Sequence, residues 1–89
     1  MTRYAIRTMS RPTEDVLEVA RVMERYMPSN YAAFPVLDYD AKPAVLIVGE
    51  DNAGWGLDSY VLPRLASGMY YAREITEAEA LAFTRIGAK

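Results

Sequence analysis

The stretch GEDNAGWGLDSYVLPRLASG, residues 49–68, holds the side chains whose types could do chemistry. Glu50, Asp51 and Asp58 carry carboxylate oxygens, which Mg²⁺ and Ca²⁺ prefer as ligands. Their spacing matches neither a calcium-binding loop nor a phosphate-binding loop. We therefore favour a connector in which Asp51 or Asn52 caps the following helix, and we keep a metal-dependent enzyme as a less favoured alternative.

Other catalytic residue types are scarce. The sequence of 89 residues has no cysteine and no histidine. Cysteine supplies thiolate nucleophiles and disulfides, and histidine is the residue most often used for proton transfer near neutral pH. A chain without either has only Asp, Glu, Lys, Tyr, Ser and Thr for catalysis, so we expect a protein that is not an enzyme and that binds no metal or cofactor.

The charges of the sequence do not identify a partner. Ten Lys and Arg residues against twelve Asp and Glu residues give a net charge of −2, and the basic residues are scattered. Nucleic-acid binding is only a further alternative, because no basic block is present to neutralise phosphates. No apolar run is long enough to span a membrane and no signal peptide is visible, so we expect a cytoplasmic protein of one domain, residues 1–89.

The clearest secondary-structure signal is an amphipathic helix at residues 14–27, with apolar residues on one side and charged residues on the other. Thr13 is its expected N-cap, and Pro28 ends it. Thr76 and Glu79 have the spacing of a capping box that opens a last helix. The predicted elements are strands at 4–9, 31–39, 44–48 and 69–75, and helices at 14–27, 54–67 and 77–86.

This order predicts an α+β fold, a ferredoxin-like βαββαβ sandwich with a four-stranded antiparallel sheet, both main helices on one face and an extra C-terminal helix. The first and third strands should lie in the centre, because residues 44–48 are apolar throughout. Pro35 cannot donate to a ladder, which places the second strand at an edge. Pro63 predicts a kink or two short helical pieces at 54–67.

The sheet face away from the two main helices should be apolar at its centre and in need of a cover. If Ile6 points towards the helices, Arg7 and Met9 point to this second face. The candidates for the cover are the terminal helix with Phe83, a second copy of the chain, and another protein. We favour self-association over the cover by the chain's own helix.

The candidate partner-binding residues are Trp55, Arg7, Met9, Tyr71 and Phe83. Trp55 lies between two glycines and fits either a core residue or an exposed anchor, since tryptophan is enriched at interface hot spots. Tyr71 is one of the aromatic residues on the predicted strands.

Residues 49–75, GEDNAGWGLDSYVLPRLASGMYYAREI, resemble a block found in small proteins of phages that infect actinobacteria, and YMPSNY upstream gives weaker support. The resemblance covers about a third of the chain and brings no assigned activity. It implies a small accessory protein expressed in the cytosol of a bacterial host and acting on a host protein.

Two functions follow as hypotheses. The first is a non-enzymatic protein-interaction module that binds a host protein, or a second copy of itself as a homodimer. The alternative is a small-molecule sensor similar to the ligand-binding regulatory domains of ferredoxin-like topology, with its ligand at the loop of residues 49–56 in a dimer interface.

Overall fold

The computed structural model describes residues 1–8, 15–52, 56–65 and 72–86. The predictions made for Met9, Thr13, Trp55 and Tyr71 fall outside these residues. The elements are β1 (Thr2–Thr8), α1 (Val16–Tyr26), β2 (Tyr31–Leu37), β3 (Pro43–Glu50), a π-helical turn (Leu57–Val61) that continues into α2 (Leu62–Leu65), β4 (Ala72–Ile75), α3 (Glu77–Ala82) and β5 (Thr84–Arg85).

The strands form one antiparallel sheet in the order β4-β1-β3-β2-β5. The α+β class is confirmed, and β1 and β3 lie inside the sheet as predicted. The predicted number of four strands is wrong, because Thr84 and Arg85 add a fifth strand next to β2. Within the described residues, no helix is long and apolar enough to cross a membrane.

The edge position predicted for β2 is also wrong, because β5 pairs with its outer side. Pro35 still restricts that pairing, since proline cannot donate to a ladder. The ladder between β2 and β5 pairs Val36 with Arg85 and Leu37 with Thr84, and the Ile86 amide then donates to the Pro35 carbonyl at 2.9 Å. A hydrogen-bonded pair of antiparallel residues normally exchanges two bonds. Proline has no N–H for the second bond, so it limits the pairing to the end of β2.

Helix α1 begins later than its sequence pattern predicts. Asp15 is the N-cap residue, and its carboxylate accepts a hydrogen bond from the Leu17 amide at 3.0 Å. Val16 and Ala20 are buried against the sheet, whereas Glu18 and Arg21 form an exposed ion pair on the opposite side. The amphipathic pattern therefore predicted the buried side of the helix correctly.

The region around Pro63 consists of two short helical pieces, as predicted. The Val61 amide donates to the Gly56 carbonyl and the Leu62 amide to the Leu57 carbonyl, which is the bonding of a π-helical turn. Pro63 has no N–H to continue this pattern, and α2 follows instead.

The first core layer lies between the sheet and the helices α1 and α2. Strands β1 and β3 contribute Ala5, Val45 and Ile47, and all three are fully buried. The helical segments contribute Val16 and Ala20 from α1 and Leu57 and Val61 from the π-helical turn. Both helical regions thus pack on one face of the sheet, as the sequence predicts.

The second face of the sheet is covered by the C-terminal segment of the same chain. Ala80 and Phe83 pack against Ile6, Leu46 and Val36. Thr76 and Glu79 form the predicted capping box, which fixes the start of α3 over this face. The expectation that a second copy covers this face is wrong, because the chain's own residues fill it. The homodimer itself stays a prediction.

Candidate functional site

The predicted partner-contact residues are not brought together in the described part of the chain. Arg7 is only 3% exposed and Phe83 only 9% exposed. The prediction that Arg7 points to the sheet face away from the two main helices is wrong. Ile6 packs under α3 and Ala5 packs under α1, so the two faces of β1 are the reverse of those assumed. Arg7 and Phe83 therefore lie in the two layers that flank the sheet.

Arg3 at the start of β1 organises a cluster of acidic side chains from three other parts of the chain. Its guanidinium contacts Glu74 with two hydrogen bonds, of 3.0 Å and 2.8 Å. It also donates to Asp51 at 2.8 Å and to Asp58 at 3.1 Å. The hydrogen bonds to Glu74 and Asp51 raise the pKa of Arg3 further above its ordinary value.

Asp51 is the member of this cluster that connects most elements. Its carboxylate accepts hydrogen bonds from the Tyr31 hydroxyl, the Arg3 guanidinium and the Leu57 amide. These bonds, that from Tyr31 first, lower the pKa of Asp51 to about 2. Burial, followed by the hydrogen bond to Asp51, raises the pKa of Tyr31 above its ordinary value. Asp51 is therefore a carboxylate and Tyr31 a neutral phenol across the physiological range.

This geometry agrees with the connector that the sequence favours. Gly56 occupies the N-cap position of the π-helical turn, and Asp51 accepts a hydrogen bond of 2.8 Å from the amide of Leu57, the first residue of the turn. Asp51 and Asp58 both face the Arg3 guanidinium. Within the described residues no cluster of three or more potential metal-ligating side chains occurs.

The end of β3 is packed closely against the start of β2. The Asn30 amide group donates to the Glu50 carbonyl at 2.6 Å, and the Glu50 amide donates back to the Asn30 carbonyl at 3.2 Å. A side chain at Gly49 would overlap the Asn30 carbonyl oxygen and the Tyr31 ring. Only glycine fits at this position, so Gly49 serves packing.

The described backbone hydrogen bonds differ between the outer side of β4 and the part of β2 that is not paired with β5. On β2, the residues whose backbone groups point away from β3 and precede the pairing with β5 are Tyr31, Ala33 and Pro35. The Tyr31 amide donates to the Pro28 carbonyl at 2.9 Å, and the Ala33 amide donates to the Glu24 carboxylate over a long 3.4 Å contact. Pro35 has no amide hydrogen. This edge is thus closed to strand addition up to β5.

The register of the sheet determines which groups face outward at the opposite edge. The backbone N–H and C=O groups of Tyr31 and Ala33 point away from β3. Because these groups alternate in direction along each ladder, the backbone groups of Thr2, Tyr4 and Ile6 point towards β4. Tyr4 and Ile6 pair there with Ile75 and Arg73. It follows that Ala72 and Glu74 direct their N–H and C=O groups outward. No described strand pairs with β4 on that side.

A notch of about 630 Å³ lies where β4 ends. The β1–β4 ladder stops at the pair Tyr4–Ile75, so no β4 residue lies opposite Thr2, whose backbone groups face the notch. The lining residues are Met1, Thr2, Arg3, Tyr4, Glu74, Ile75, Thr76, Glu77 and Glu79. The notch is therefore a gap in the sheet edge with three glutamates around it.

Sequence reasoning missed Arg3, which appeared as one of several scattered basic residues. Its partners Asp51, Asp58 and Glu74 are 48, 55 and 71 residues away, so no local spacing connects them. Asp51 and Asp58 are candidate metal ligands in the sequence, but neither Glu74 nor the shared partner Arg3 is identified there.

Comparison with protein-family models, with curated proteins and with solved structures found no match to this chain. The assignment of a function therefore depends on the geometry of the chain itself.

Proposed function

We propose that this chain is a non-enzymatic protein-interaction module that binds an extended segment of a partner protein at the outer edge of β4. The observation that supports the proposal is the difference between the two sheet edges. The β2 edge has its outward amides at Tyr31 and Ala33 occupied within the chain. The β4 edge directs the backbone of Ala72 and Glu74 outward.

Strand addition uses such an edge, since an incoming peptide pairs its backbone with the free groups and adds a strand to the sheet. Proteins usually close exposed edges because they promote unwanted association. Among the described residues, the hydrogen bonds that occupy outward-directed amides lie on the β2 side. A sheet whose backbone groups are occupied on one side and directed outward on the other is the arrangement expected of a strand-binding surface.

The Arg3 cluster supports the proposal by holding this edge in place. Arg3 joins Glu74 on β4 to Asp51 on the loop after β3 and to Asp58 in the π-helical turn. Arg3 donates to three carboxylates at once, and a charged network of this kind fixes geometry better than isolated surface pairs do. The β4 edge is therefore a pre-organised template, which lowers the entropic cost of binding a flexible segment.

The nature of the partner is part of the proposal. The resemblance of residues 49–75 to phage proteins favours an accessory protein that acts on a host protein in the bacterial cytosol, with a second copy of the chain as the other candidate partner. The order of the first four strands favours a ferredoxin-like framework to which α3 and β5 are added. The sensor alternative gains no support, because the polar groups of Glu50 and Asp51 are paired within the chain.

A selection from random peptides of about twelve residues tests the proposal, because it needs no knowledge of the natural partner. Enriched peptides are made synthetically and measured against the wild type and Ala72→Pro. Proline removes an outward N–H and leaves the pairs Tyr4–Ile75 and Ile6–Arg73 intact. We expect Ala72→Pro to weaken peptide binding about tenfold or more, because the substitution removes one backbone hydrogen bond to the peptide and disturbs the geometry of the ladder.

A second set of measurements does not depend on the folding of Ala72→Pro. Each peptide amide is replaced in turn by an ester, which lacks the N–H donor. Strand addition predicts that binding weakens at every second position, because alternate residues of a strand face the neighbouring strand. No enriched peptide, or enriched peptides that tolerate both Ala72→Pro and every ester, would show that β4 is not a binding edge.

A further inference from the structure

We infer that the notch at the end of β4 receives a basic side chain, arginine or lysine, from the extended partner segment. This inference rests on the proposed function, because it names the kind of partner that strand addition at β4 selects.

The position of the notch makes it accessible to a strand bound at β4. Ala72 and Glu74 face outward along β4, and the notch begins after Ile75, where the ladder with β1 ends. Successive residues of a strand advance by about 3.3 Å. A peptide paired with Glu74 therefore passes the notch within one or two further residues, and one of its side chains can enter it.

The volume of the notch suits a long side chain. Its 630 Å³ lies within the range of about 300–1,000 Å³ that is typical of small-ligand sites. The backbone of Thr2 faces this space and offers an N–H and a C=O without a β4 residue opposite. The carbonyl is an acceptor for a guanidinium or ammonium group.

The charges around the notch favour a cation. Glu74, Glu77 and Glu79 line it. The positive charge of Arg3 is shared between Glu74 and two aspartates, and the terminal ammonium of Met1 pairs with Glu50 at 3.0 Å. Arg73 contacts Glu79 at 3.5 Å. In the described part of the chain, Glu77 forms no ion pair, and its hydrogen bond comes from the neutral Tyr4 hydroxyl at 3.0 Å.

Other classes of side chain fit the notch less well. An acidic side chain would be repelled by three glutamates. An apolar side chain would displace water from the Glu77 carboxylate without replacing the lost hydrogen bonds, which costs free energy. A basic side chain supplies both the opposite charge and the donors that Glu77 lacks.

The test uses peptides that have been shown to bind the β4 edge. Each arginine is replaced by citrulline and each lysine by norleucine, which removes the charge and keeps the aliphatic part of the side chain. Dissociation constants are measured with wild type, Glu77→Gln and the matched control Glu18→Gln, since Glu18 lies on the exposed side of α1. Thermal unfolding verifies that the variants are folded.

At one basic position of the peptide, we expect the uncharged replacement to weaken binding to wild type and to Glu18→Gln about fivefold. In Glu77→Gln the charged and uncharged peptides should bind equally well. Binding that ignores the charge of the peptide but is still lost in Ala72→Pro would overturn the inference and leave strand addition intact. Free spermidine serves as a second probe. If spermidine alone shifts the NMR signals of Tyr4 and Glu77 as the peptide does, the notch is a site for a free cation and the inference is wrong.

Discussion

Arg3 and Asp51 are 48 residues apart in the sequence and form an ion pair with 2.8 Å between Nη1 and Oδ2. The pair joins the first strand to the loop that follows the third strand. Asp51 also accepts from Tyr31 and from the Leu57 amide. One carboxylate thus holds β1, β2 and the π-helical turn together at one end of the sheet.

The pH dependence of stability should report on this carboxylate. The pKa of Asp51 is lowered in the folded state from 3.8 to about 2, so the stabilisation is present above pH 4 and is lost as the pH falls towards 2. Asp51→Asn should therefore be less stable than wild type at pH 7, and the difference should nearly vanish at pH 2. Urea unfolding at both pH values measures it.

The control for this comparison is Asp40→Asn, a similar charge change in the turn between β2 and β3. It removes one negative charge without removing a hydrogen bond from Arg3, Tyr31 or Leu57. A difference between Asp51→Asn and wild type that is as large at pH 2 as at pH 7 would mean that Asp51 does not act through its charge.

Phe83 should stabilise the chain as a core residue. It is 9% exposed and packs with Ala80 on the second face of the sheet, and its ring contacts Tyr39 edge to face at 5.0 Å between centroids. Phe83→Ala should lower the free energy of unfolding by about 3 kcal/mol. Leu81→Ala is the matched control, because Leu81 is 77% exposed and its loss should change stability by less than about 0.5 kcal/mol.

Denaturant unfolding of both variants shows whether Phe83 is a core residue that covers the sheet or an exposed residue that is available to a partner. Equal and small effects at Phe83 and Leu81 would contradict the finding that the C-terminal segment covers this face of the sheet.

Glu24 should protect the amide of Ala33 from hydrogen exchange. The carboxylate lies 3.4 Å from this outward-facing amide. Glu24→Ala should speed exchange at Ala33 about fivefold, the effect of a hydrogen bond that contributes about 1 kcal/mol. Glu18→Ala on the same helix is the control. Unchanged exchange at Ala33 would show that Glu24 does not close the β2 edge.

The sequence predicts the individual helices and strands of this fold better than it predicts which of them pair with each other. The apolar run 44–48 and the amphipathic helix at 14–27 are strong local patterns, and both elements are present with shifted ends. Strand β5 has only two residues, which is too short for a periodic pattern. Its pairing with β2 depends on the path of the chain after α3, and no local signal contains that information.

The candidate site was harder to predict for a related reason. The side chains of a strand alternate, so the wrong choice of the inward residue in β1 exchanged the faces of Ile6 and Arg7. The proposed binding edge at Ala72 and Glu74 consists of backbone groups, which have no signature in residue types. Only the register shows which of them face outward.

The central claim is that β4 is an open edge that accepts a strand, and amide hydrogen exchange at successive β4 residues tests it most directly. In the free protein, Ala72 and Glu74 should exchange fast, while Arg73 and Ile75, which pair with Ile6 and Tyr4, should be protected. A selected peptide should then protect Ala72 and Glu74 in particular. Protection of Ala72 and Glu74 in the free protein, or peptide binding that leaves their exchange unchanged, would contradict the account.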